Sequence, residues 1–139
     1  MSQVTLGTTG ITVNKNGFGA LPVQRVTMEE AKKLLRKAFE SGITFFDTAR
    51  AYTDSEEKLG EALSDVRDQI FIATKTAAKT ADGFWKDLET SLKLLKTDYI
   101  DIYQFHNPAV CPKPGDGSGL YEAMLEAREN GKIRHIGIT

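Results

Sequence analysis

Ile43-Thr44-Phe45-Phe46-Asp47 and Ile70-Phe71-Ile72-Ala73-Thr74-Lys75 are two short β-rich runs, each ending on a charged side chain. Between them lies a polar loop and a helical pattern from about Ser55, with Leu59, Ala62, Leu63 and Val66 on one face. A strand, a helix and a second strand in this order make a βαβ unit, which needs parallel strands and a helical crossover. The unit is also marked by where its polarity falls. Asp47 and Lys75 both stand at the C-terminal ends of strands, where parallel barrels build their sites.

Working outward, the same alternation continues in both directions. Upstream, Gly17-Phe18-Gly19-Ala20 reads as a short strand, and Thr27-x-x-Glu30 is a capping box that opens a helix. Ala31, Leu34, Leu35, Ala38 and Phe39 form its apolar face, and Gly42 ends it. Downstream, a helix capped near Thr80 or Asp82 places Phe84, Leu88, Leu92 and Leu95 at helical spacing. A strand from Tyr99 to Phe105 follows, then a helix from about Leu120 to Asn130 ended by Gly131, then a last strand over Ile133 to Thr139. At the start of the chain, Val4 to Leu6 and Ile11 to Val13 flank Gly7-Thr8-Thr9-Gly10 and read as an appended hairpin over 3–14. Residues 1–139 are therefore expected to form one partial barrel domain, with βα units from about 16 to 131 and a fifth strand from about 133. A doubly wound dinucleotide sheet would want G-x-G-x-x-G, of which Gly17-Phe18-Gly19 supplies only the first half.

Composition narrows the functions further. The 139 residues are 40% hydrophobic and 27% charged, ordinary for a globular domain, and 18 basic against 19 acidic side chains leave a formal charge of −1. Nothing in that balance favours nucleic acid or an acidic membrane surface. No stretch reads as a signal peptide or a membrane span. Cys111 is the only cysteine, without the companions of a zinc or iron–sulfur site, so the expectation is a reducing cytoplasm and no metal. The segment from Asn107 to Gly119 holds three of the four prolines, three glycines and Cys111. It is long for a βα connection and reads either as a wall of a substrate pocket or as a surface insertion.

Four polar residues fall at or just beyond strand ends: Asp47, Tyr52, Lys75 and His106. Singly each has an ordinary structural use. Together they compose an acid. A phenol holds its proton at neutral pH, a nearby ammonium favours the phenolate, a carboxylate would fix that ammonium, and an imidazole could hydrogen-bond an incoming carbonyl oxygen.

With those residues in place, the chain resembles the aldo-keto reductase superfamily. The motifs are Gly42-Ile43-Thr44-Phe45-Phe46-Asp47-Thr48-Ala49 with Tyr52, Ser55-Glu56-Glu57-Lys58-Leu59-Gly60, and Ile72-Ala73-Thr74-Lys75. Ser91-Leu92-Lys93-Leu94-Leu95-Lys96-Thr97-Asp98-Tyr99-Ile100-Asp101 then leads to His106, and Gly131-Lys132-Ile133-Arg134-His135-Ile136-Gly137-Ile138-Thr139 follows. The resemblance implies the N-terminal part of a (β/α)8 barrel that reduces aldehydes or ketones, usually with NADPH and otherwise with NADH. It implies that Tyr52 is the general acid, tuned by Lys75 and Asp47, with His106 orienting the substrate. It places Gly19 and Ala20 in the segment whose backbone passes the nicotinamide, and Asp47 near the nicotinamide ribose. Ala20 stands where Thr or Met is common, which weakens any side-chain role there and leaves the backbone one.

A complete barrel of this kind needs roughly 250 residues, so the expectation for these 139 is weak cofactor binding and little activity alone. An open sheet edge makes self-association the matching expectation. Two other functions fit the same alternation: a non-catalytic half-barrel assembly or binding module, and an aldolase with Lys75 as a Schiff-base lysine. The pairing of Lys75 with Asp47 argues against the aldolase.

Overall fold

The computed structural model describes residues 2–139. An antiparallel hairpin of β1 (Gln3–Thr5) and β2 (Thr12–Asn14) comes first, with Val4 opposite Val13. It buries Ile11 and Val13. The chain then lays down β3 (Phe18–Gly19), α1 (Met28–Glu40), β4 (Phe45–Asp47), α2 (Ser55–Leu63), β5 (Phe71–Thr76), α3 (Ala81–Leu95), β6 (Ile100–Phe105), α4 (Leu120–Glu129) and β7 (Ile133–Ile138). The five strands β3 to β7 form one parallel sheet in sequential order. A doubly wound sheet would reverse its strand order, so the sequential order is that of a barrel.

Local chemistry accounts for the helix boundaries. The Thr27 hydroxyl accepts the Glu30 amide while the Glu30 carboxylate accepts the Thr27 amide, the reciprocal capping box expected for α1. Thr80, rather than Asp82, caps α3 by accepting the Gly83 amide. Gly60 has a packing reason: a Cβ there would lie 2.2 Å from the Leu94 carbonyl oxygen, so only glycine lets α2 lie this close to the end of α3.

Residue alternation gives the sheet two unequal faces. Phe46, Ile72 and Tyr103 face the helices and are buried among Leu35, Leu59, Leu63, Phe84, Leu88 and Leu95. Phe45, Phe71, Ile102, Gln104 and His135 lie on the opposite, concave face and are only half-buried. The helix stripes match expectation except at two positions: Leu34 is exposed on α1, and Val66, expected on the buried face of α2, falls beyond the end of that helix at Leu63, in a short 3-10 segment where it is only half-buried. A stripe at i, i+3, i+4 is wider than the contact that α1 makes, and Leu34 lies at its edge.

At the N-terminal ends of the strands a buried ion pair locks the sheet. Arg67 donates to Asp101 at 2.7 Å, to the carbonyls of Ile70 and Tyr99 at 2.9 and 3.0 Å, and to the Thr97 hydroxyl at 3.0 Å. Asp101 also accepts the Ile72 amide at 2.9 Å, tying β6 to β5. The guanidinium groups of Arg67 and Arg134 both lie about 4 Å from the Tyr99 ring centroid.

Candidate active site

The opposite end of the sheet gathers a second set of ionisable groups. Asp47 is the last residue of β4 and pairs in register with Gly19 on one side and Ala73 on the other. Lys75, two residues beyond Ala73, therefore projects from the same face. Lys75 lies within β5, which runs two residues further than the run ending at Thr74 suggested, to the buried Thr76.

The Lys75 ammonium donates to Asp47 at 2.6 Å and to the Thr48 carbonyl at 2.7 Å. Its side chain is 6% exposed against 36% for Asp47, so the lysine is sealed while the carboxylate keeps a free edge. Tyr52 follows in the β4–α2 loop. The ammonium is 5.2 Å from its ring centroid, and the His106 ring meets it edge to face at 5.7 Å. His106 sits just past β6, its amide bonded to the Thr76 carbonyl. Burial and the neighbouring Lys75 ammonium hold the His106 imidazole below the usual histidine range, against the opposite pull of Asp47. A neutral imidazole can give one N–H to an oxygen acceptor. All four residues singled out in the sequence thus meet at one site.

Gly19 and Ala20 behave differently from each other. Gly19 is exposed, and a Cβ there would meet nothing within 4 Å. Ala20 is completely buried, and its amide is committed to the Asp47 carbonyl at 2.8 Å. Open room at the end of β3 lies beside Gly19.

The segment 107–119 is built around Asp116, which accepts the amides of Lys113 and Ser118 and the Ser118 hydroxyl, while Glu122 accepts the Gly115 amide. Pro108, Val110 and Pro112 of this segment, with Phe105 and Leu120, line a cavity of about 510 Å³ that opens beside His106. Val110 is 75% exposed there. Cys111 is exposed and does not line the cavity.

Sequence reasoning passed over Arg50 and Glu56, which are next to this site. Glu56 is fully buried in the first turn of α2, pairs with Arg50, and accepts the Thr74 hydroxyl at 2.8 Å. Burial pushes its carboxyl above the usual range, opposed by hydrogen bonding and by Arg50. A signal did exist, because Glu56 extends the stripe of Leu59 and Leu63 by one turn.

A parallel βα sheet with an ion pair, a phenol and an imidazole at its C-terminal ends defines the class: a barrel protein with its site on the face that serves such folds for chemistry. The profile of the Aldo/keto reductase family matches residues 4–139, and the chain belongs to that family. It is 34% identical to aldo-keto reductase YhdN of Bacillus subtilis, covering 100% of this chain and 47% of that protein. It is also 34% identical to NADPH-dependent codeinone reductase 1-5 of Papaver somniferum, covering 98% and 49%. Among solved structures, aldo-keto reductase AKR11C1 of Bacillus halodurans superposes with a TM-score of 0.89 at 30% identity, over 100% of this chain and 50% of that one. An aldo-keto reductase of Klebsiella pneumoniae in complex with NADPH gives 0.81 at 28% identity, over 93% and 46%. The chain spans about half the length of the curated relatives it matches. Among the described residues, no helix is long and apolar enough to cross a membrane.

Proposed function

We propose that these residues carry the proton-delivering part of an NADPH-dependent reduction of an aldehyde or ketone to an alcohol. The observation that carries this reading is the placement of Lys75, sealed from solvent, bonded to Asp47 and 5.2 Å from the Tyr52 ring. Tyr52 gives its hydroxyl proton to the carbonyl oxygen as the carbonyl carbon is reduced. The Lys75 ammonium stabilises the negative charge left on the phenolic oxygen, and Asp47 holds that ammonium in place. Neutral His106 donates a hydrogen bond to the carbonyl oxygen and aligns it with Tyr52. Solvent then returns a proton to Tyr52.

NADPH, when bound, supplies the hydride. The residues present fit one end of it: the open space beside Gly19 admits a flat ring against the backbone, and the exposed edge of Asp47 can accept a ribose hydroxyl. The buried Ala20 supports that segment from beneath. A Schiff-base role for Lys75 is disfavoured, because its ammonium is bonded to a carboxylate and a carbonyl rather than held free for attack.

The test is NADPH oxidation with an aromatic aldehyde by two proteins: this 139-residue chain, and the chain joined to the C-terminal half of the Bacillus subtilis relative. The fusion is expected to turn over and the chain alone to bind NADPH weakly with negligible turnover. A well-folded fusion that binds NADPH but reduces no carbonyl would refute the proposal.

A further inference from the structure

The loop that carries Tyr52 is anchored at points the proton-delivery reading does not use. Tyr52 lies between Arg50 and Thr53, and Arg50 reaches past it in two directions. One guanidinium nitrogen meets the Glu56 carboxylate and the other donates to the Thr53 carbonyl at 3.3 Å. The Arg50 amide donates to the Lys75 carbonyl at 3.1 Å, which ties the start of the loop to β5. Glu56 is tied to the same strand through Thr74. Both attachments therefore end on residues that flank or include Lys75.

A second, independent observation is backbone strain. Thr53, the residue after Tyr52, has φ of +42°, a region that a β-branched side chain rarely enters. Such an outlier persists only where its surroundings over-determine it. Here Arg50 takes the Thr53 carbonyl and Gln24 accepts the Thr53 hydroxyl at 3.0 Å. A charge as deeply buried as Glu56, whose side chain is 1% exposed, is costly to place and calls for a role.

We propose that Arg50 and Glu56 are positioning residues that hold Tyr52 against His106 and Lys75, by clamping the loop across Thr53 and fastening it to β5. This rests on the reading of Tyr52 as the acid, but the clamp can be tested without turnover. Arg50 acts as a fork, engaging two acceptors at once, which a lysine at that position would not reproduce.

The experiment uses the 139-residue chain with isotope-labelled tyrosine and histidine, and the variants Arg50→Met and Glu56→Gln. Far-UV circular dichroism reports whether each folds. The nuclear Overhauser contact between the Tyr52 and His106 rings is expected in the parent and lost in both folded variants. Arg50→Met is the safer arm, since Arg50 lies at the edge of the loop with 22% of its side chain exposed. In the active fusion the same variants should lower kcat about tenfold, the scale of a small misplacement of a reacting group, with KM for the aldehyde little changed. Retention of the ring contact and of kcat in the folded Arg50→Met protein would overturn the clamp. If instead Tyr52→Phe leaves the fusion's rate intact, the acid reading fails, and the ring contact still reports on the clamp by itself.

Discussion

The two ends of the parallel sheet each hold a lysine or arginine against an aspartate, and the two pairs are built for opposite purposes. At the N-terminal ends, Arg67 and Asp101 are 10% and 2% exposed, and Arg67 donates to two carbonyls and a hydroxyl besides Asp101. At the C-terminal ends, Lys75 is as sealed as Arg67, but Asp47 keeps a third of its side chain open and the lysine faces a phenol. A closed pair with all three guanidinium nitrogens engaged holds strands together. The open pair leaves charge directed at a space where a ligand can enter.

This contrast can be broken by substitution, beginning with the largest effect. Asp101→Asn removes the charge that balances a buried guanidinium and weakens the anchor of the Ile72 amide. It should cost about 3–5 kcal/mol of stability, read from the urea midpoint, and if the protein is as stable as its parent the closed pair is no lock. Lys75→Met should reverse the pattern. Asp47 can turn to water, so stability should change by under about 1 kcal/mol, while turnover in the fusion falls about 10²–10³-fold. Comparable destabilisation at both ends would erase the distinction.

Smaller effects sharpen it. Thr80→Ala removes the hydroxyl that caps α3 on the site face and should cost about 1 kcal/mol with the site unchanged, seen in a thermal melt and in the His106 resonances. The smallest concerns pH. His106 has a folded pKa below the ordinary 6.5, so as pH falls from there the unfolded chain takes up the proton first. Its contribution is fully present above about 6.5 and declines as pH falls toward the folded value. Histidine NMR titration should give a His106 midpoint below that of a free histidine, and a midpoint above it would contradict the neutral imidazole.

How much of this was legible in the sequence depended on whether a residue obeyed its usual preference. The βα alternation, the capping box at Thr27 and the meeting of Asp47, Tyr52, Lys75 and His106 at the strand ends could be read because periodicity and strand-end position follow directly from backbone geometry. The end of β5 was harder, because Thr76 is polar yet buried, its hydroxyl bonded to Asp87. Leu34 failed in the other direction, since an apolar residue at the margin of a stripe does not reveal how far the neighbouring element extends. Arg50 and Glu56 were hidden for a third reason. A charged residue near a helix start normally faces water, which outweighed the helical stripe that Glu56 shares with Leu59 and Leu63. Lys58 repeats this: its buried ammonium donates to the carbonyls of Val23 and Val26 and pins the segment that follows β3.

The measurement that bears most directly on the account is the rate of carbonyl reduction by the fusion with Tyr52→Phe, a change of one oxygen atom, taken together with its affinity for NADPH. Loss of the general acid should lower kcat by about 10²–10⁴-fold with NADPH binding unchanged. A rate equal to the parent's would mean that Tyr52 does not deliver the proton, and that the open ion pair at the top of the sheet serves some other chemistry.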